Sequence, residues 1–182
     1  MKLKLHLKFA VAAIAALSSA GSFAVTTAWG SHDVVEVASQ VLAPGAFSNT
    51  YTFSLGSTSS LLSTAVAANV AITVPYSLNI LHVLGGTYSL WSTGANHAVG
   101  GGDDSSIASW AFSGTTGSST HTVSNMVAGN YFYVVSGSAD GMAGGQYTLA
   151  STVTAVPEPE TYAMMLAGLG ALGFLARRRR ND

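Results

Sequence analysis

Between residues 25 and 156 the apolar positions recur with the period of a strand rather than that of a helix. They fall in short runs closed every ten to fifteen residues by Gly, Ser, Asn or Pro. The first run, 32–42, sets Val35, Val37 and Val41 against polar neighbours and stops at the turn Ala43-Pro44-Gly45. The cleanest strand is 47–55: Phe47, Asn49, Tyr51, Phe53 and Leu55 fall on one face, with Ser48, Thr50, Thr52 and Ser54 on the other. The alanine-rich stretch 60–74 is ambiguous by period, but Val70, Ile72 and Val74 before Pro75 favour a strand that ends at the proline.

Leu78, Ile80 and Leu84 share a face with His82. Gly85-Gly86 then reads as the turn of a hairpin joining 77–84 to 87–91. The longest loop, 94–106, holds His97, a triple glycine, Asp103 and Asp104. Runs at 107–113, 121–127, 129–136 and 146–154 bring the expectation to eight or nine strands. With no helices to serve as crossovers, the pattern predicts an all-β fold, a single antiparallel β-sandwich or jelly-roll domain over 25–155.

Both ends break this pattern. At the front, Lys2, Lys4 and Lys8 precede an apolar run at 9–17 and the small-x-small triplet Ser22-Phe23-Ala24. That order predicts a secretory signal peptide, 1–24, cut after Ala24 by signal peptidase; a retained anchor is the alternative. At the back, 162–176 carries no charge and is followed by Arg177, Arg178, Arg179 and Arg180. Fifteen helical residues reach about 22 Å, short of the roughly 30 Å hydrocarbon core. Arginine side chains that snorkel to the headgroups extend that reach, so a short transmembrane helix is expected at 162–176, with the basic tail 177–180 cytoplasmic.

Charge sharpens the picture. Every Lys and Arg lies in the two terminal segments, so the region between them holds five acids, Asp33, Glu36, Asp103, Asp104 and Asp140, against four histidines. A net charge near −5 argues against nucleic acid or anionic lipid as its partner. With no cysteine, no disulfide braces this exported domain. Its solvent face must be built largely from Ser and Thr hydroxyls.

The order Val156-Pro157-Glu158-Pro159-Glu160, short glycine-rich apolar helix, arginine cluster resembles the PEP-CTERM sorting signal of Gram-negative bacteria that make exopolysaccharide. The resemblance implies that Pro157, Glu158 and Pro159 are the recognition triplet, that 156–182 is the sorting signal, and that the membrane protease exosortase cuts near it. The stretch Phe47-Ser48-Asn49-Thr50, with a Gly-x-Tyr strand at Gly145-Gln146-Tyr147, is similar to the FxDxA subgroup, although Asn49 stands where the subgroup has Asp. No activity follows from that subgroup.

Residues with chemistry are few. Gly168-Leu169-Gly170-Ala171-Leu172-Gly173 spells a dinucleotide fingerprint but follows no strand and suits close helix packing instead. Asp103, Asp104 and Asp140 are weak calcium candidates, since such a site needs six to eight oxygens. His32, His82, His97 and His121 show no metal-ligand spacing, and no serine sits in a nucleophile elbow. Trp91 and Trp110 with Tyr88, Tyr131, Tyr133 and Tyr147 suit either a sugar-stacking face or a core. The reading is a noncatalytic surface or exopolysaccharide-matrix protein without cofactor, not an enzyme, partnered by signal peptidase, exosortase, the inner membrane in transit and exopolysaccharide. The alternative is a carbohydrate- or calcium-binding sandwich.

Overall fold

A computed structural model describes residues 24–73, 76–114, 119–156 and 159–180. The strands are β1 (Thr26–Ser31), β2 (Val35–Leu42), β3 (Gly45–Leu55), β4 (Ser59–Ala68), β5 (Val70–Ile72) and β6 (Leu78–Leu81). They continue with β7 (Val83–Ser92), β8 (Ser105–Phe112), β9 (His121–Met126), β10 (Gly129–Ala139) and β11 (Gly145–Ala155), before one helix, α1 (Pro159–Arg180). One sheet has the order β1-β3-β10-β7-β8, the other β2-β11-β4-β9, and β5-β6 form a separate hairpin. Side chains of both large sheets interdigitate between them, so the domain is a β-sandwich with a single aromatic-rich core.

β3 forms as its alternation requires. Phe47, Asn49, Tyr51, Phe53 and Leu55 are all buried, and β3 pairs antiparallel with β10 along its whole length. From β10, Tyr131, Tyr133 and Val135 meet them from the neighbouring strand, and Tyr147 and Leu149 of β11 close the core from the opposite sheet. The large inward rings leave little room for bulk elsewhere.

That crowding decides which face of β2 turns inward. Val35, Val37 and Val41 point outward and are exposed, whereas Ala38 and Leu42 face the core. β2 is an edge strand whose register is set by β11, with Ala38 opposite Leu149 and Gln40 opposite Tyr147. The inner face of β2 must be small where Tyr147 already fills the space, and the valines take the other side.

Three expectations change. β1 pairs in parallel with β3, so its sheet is mixed; the parallel step is possible because β2 crosses to the other sheet in between. Gly85-Gly86 is no hairpin turn: β7 runs through it, and the register against β10 shifts between Ser136 and Ser138. A Cβ on Gly86 would lie 2.9 Å from the Phe112 ring, so glycine there permits a bulge and a close ring contact. The stretch 60–74 divides into β4 and β5, while Val74 and Pro75 lie outside the described residues.

The tail helix is longer than expected, 22 residues, and Pro159 opens it at a position where its missing N–H costs nothing. Residues 163–172 are exposed. The expected transmembrane span is corrected: no helix among the described residues is long and apolar enough to cross a membrane. The cause is that Glu160 and the arginines occupy the ends of α1, leaving only the uncharged stretch 161–176 between them. Pro157, Glu158 and Ser22 lie outside the described residues, and Ala24 is exposed just ahead of β1.

Candidate functional site

The three acids named as weak calcium candidates are not brought together. Asp103 Oδ2 accepts the amides of Ala95 (2.8 Å) and Asn96 (3.0 Å), tying together a single turn of 3-10 helix at Gly94–Asn96. Asp104 Oδ2 accepts the Gly100 amide at 2.6 Å. Asp140 pairs with the His82 imidazole at the other end of β7, because Ala139 stands opposite Val83 while Ser105 stands opposite Ser92. A ten-residue strand separates the two places by about 30 Å at roughly 3.3 Å per residue. Among the described residues no group of three His, Asp or Glu side chains is gathered closely enough to hold a metal ion. The acids are turn and loop fasteners.

Most aromatic candidates belong to the core. Tyr88, Tyr133 and Tyr147 are fully buried and Tyr131 nearly so. Tyr88 gives its hydroxyl proton to the Ser63 carbonyl (3.2 Å) and takes a bond from His121 Nδ1 (2.8 Å); burial pushes its pKa up to about 12. Trp110 covers this pair at the rim, its ring 5.0 Å from Tyr88 and stacked on His121 at 4.9 Å. Trp29 of β1, which the sequence pattern did not single out, stacks on Tyr51 at 5.2 Å.

Two buried polar chains cross the sandwich. In the first, Asn49 Nδ2 donates to the Tyr147 hydroxyl at 2.7 Å, and Tyr147 and Tyr51 share a bond of 2.6 Å. Burial raises the pKa of both phenols, so they stay neutral donors and acceptors. In the second, Tyr133 bonds Ser151 Oγ (3.1 Å), which bonds His32 Nε2 (2.9 Å). His32 Nδ1 faces the Asp33 carbonyl, which can only accept, so that nitrogen carries the proton and Nε2 accepts from Ser151. Burial holds the pKa of His32 below the ordinary histidine value. Ser151 is fully buried, so this serine–histidine contact is part of the core and offers no substrate an approach.

On the outer face of the five-stranded sheet Phe132, only 3% exposed, stacks with half-buried Trp91 at 6.1 Å and 13°, and the indole N–H is fixed by Ser89 Oγ at 2.7 Å. An open groove of about 400 Å³ runs between β1 and the loop after β7, lined by Ala28, Thr52, Ser54, His97, Val99 and Asn130 among others. Asn130 Nδ2 donates to His97 Nδ1 at 3.0 Å, and Thr93 Oγ1 donates to the Asn130 carbonyl at 3.2 Å, which ties the loop to the sheet. No Asp, Glu, Lys or Arg lines the groove. Its chemistry suits a neutral polar ligand. Asn130 and His97 were not legible as partners, because they are 33 residues apart and meet only through the turn of the sheet.

The chain matches a family model described as the PEP-CTERM protein-sorting motif over residues 155–180. The likeness of Phe47-Ser48-Asn49-Thr50 to a subgroup lies outside those residues. No curated protein is significantly similar to the chain in sequence. Among solved structures it is similar at 13% identity and TM-score 0.42 to Aeromonas hydrophila PliG, a periplasmic lysozyme inhibitor of g-type lysozyme, over 72% of this chain and 100% of that one. The pre-peptidase C-terminal domain of collagenase from Bacillus anthracis is similar at 13% identity and TM-score 0.37, over 75% and 100% of the two chains. TmCBM61 in complex with β-1,4-galactotriose is similar at 13% identity and TM-score 0.36, over 68% and 83%. At these scores no functional argument rests on the three structures.

Proposed function

We propose that this protein is an exported, noncatalytic component of the cell surface or the exopolysaccharide matrix, carried out by a cleaved signal peptide and sorted through a tail that exosortase removes. The observation that carries the reading is the PEP-CTERM motif at 155–180, which marks the chain for exosortase-dependent sorting. The exposed apolar side chains of 163–172 support it, since they give α1 a face that can associate with the membrane where the processing enzyme sits. A handle used during processing needs no more than that. The sandwich contributes a surface without Lys or Arg, suited to hydroxyl-rich neutral surroundings.

The test is replacement of Pro157, Glu158 and Pro159 by alanine, followed by fractionation. Full-length protein retained with the membrane is the expected result. Unchanged size and location would overturn the sorting reading.

A second reading has its own observation. The charge-free groove between β1 and the loop after β7 supports binding of a neutral glycan, with Asn130, Thr52 and Ser54 supplying hydrogen bonds. It is compatible with the first, since such binding would hold the released domain in a polysaccharide matrix.

A further inference from the structure

Val25, the residue that follows the expected signal-peptide cut, is held at both of its backbone polar groups. Its nitrogen donates to Asn49 Oδ1 at 3.1 Å, and its carbonyl accepts the Thr50 amide at 2.7 Å. Asn49 is 1% exposed and stands between Phe47 and Tyr51 on the inner face of β3. A polar side chain in that position is costly unless its groups are paired. Its Nδ2 is committed to Tyr147, so Oδ1 faces the start of the domain.

We propose that Asn49 Oδ1 is the docking site for the α-ammonium group created when the leader is removed, so that processing and the final fold of β1 are coupled. The proposal rests on the reading of 1–24 as a cleaved signal peptide. Hydrolysis of the Ala24–Val25 amide consumes one water, leaves a carboxylate on Ala24 and leaves the new α-ammonium on Val25. Where the amide offers a single N–H, the ammonium offers three and carries a charge that strengthens its bond to the asparagine oxygen. Val25 is 44% exposed, so the remaining N–H groups reach water while one stays on Asn49. Tyr51 and Tyr147, the titratable groups of the same network, are kept neutral by burial and add no competing charge.

The test uses residues 25–182 with the Val25 amine free or acetylated, each with Asn49 or with Asn49→Asp. Asp keeps the shape of the side chain and forms an ion pair with the ammonium, which the uncharged acetylated terminus cannot do. The expected result is that Asn49→Asp lowers the folding equilibrium constant about tenfold or more further in the acetylated chain than in the free one. It should also raise the pKa of the α-amine by about one unit or more in NMR titration. Equal effects in both forms would overturn the proposal. Should neither Asp variant fold, the protein with Asn49 decides. Its amine should react with an acylating reagent about tenfold more slowly folded than in urea, and equal rates would overturn the proposal. Sequencing the exported protein separates the two ideas: a terminus other than Val25 sinks the processing reading, whereas a Val25 terminus with no coupling sinks only this one.

Discussion

The Tyr147 hydroxyl of β11 lies 2.6 Å from the Tyr51 hydroxyl of β3, so the two sheets are joined by a hydrogen bond inside the aromatic-rich core. Asn49 donates to the same Tyr147 oxygen, and together the three side chains form a polar bridge with almost no exposure to solvent. Tyr147→Phe keeps the ring but strands the Asn49 amide. It should cost about 1–3 kcal/mol by urea denaturation, the penalty of a buried polar group left unpaired. A variant as stable as the parent would show that the bridge contributes nothing.

His32 gives the domain a pH dependence of known sign. Its pKa is lowered in the folded state by burial, so below the ordinary value of 6.5 the unfolded chain binds a proton that the folded one resists. Stability from this group is fully present above pH 6.5 and falls as the pH drops from there toward the lower folded pKa. Urea midpoints measured from pH 7.5 downwards should decline more steeply in the parent than in His32→Gln. Parallel profiles would contradict the assignment.

The orientation of β2 predicts an asymmetry between its two faces. Val37 is exposed and Leu42 is 5% exposed. Val37→Thr should change stability by no more than about 0.5 kcal/mol, whereas Leu42→Ala should cost about 2–5 kcal/mol. The opposite ranking in thermal or urea unfolding would contradict this orientation.

The groove makes a binding prediction. Thr52→Val removes a hydroxyl that lines it. It should weaken retention on neutral exopolysaccharide about tenfold while far-UV circular dichroism stays unchanged. Asn130→Ala should act in the same direction, since it also releases the loop carrying His97. Retention equal to the parent in both variants would remove the glycan reading.

How far the sequence spoke depended on side-chain size. β3 was legible because five bulky or amide residues alternate with hydroxyls, which only a strand can sort onto two faces. β2 had equally clear alternation, but which face turned inward was settled by Tyr147 and Leu149 on a strand far along the chain. β1 escaped notice because Thr, Ala and Gly flank its lone Trp29, and its pairing is with a strand that follows two elements later. The paired glycines were read as a turn, yet Gly86 is there to make room for Phe112. Of the groove, Tyr131 and His97 were named beforehand as separate candidates; that they meet Thr52 and Asn130 follows from topology alone. The tail was the most legible part, since its order of proline, glutamate, apolar residues and arginine is continuous in the chain.

The central claim is that the tail is a processing signal, and intact-mass measurement of the protein recovered from the extracellular fraction tests it most directly. The account predicts a product that begins at Val25 and ends near the Pro157-Glu158-Pro159 triplet, without α1 and its four arginines. Extracellular protein that still carries Arg177 through Arg180 would contradict it.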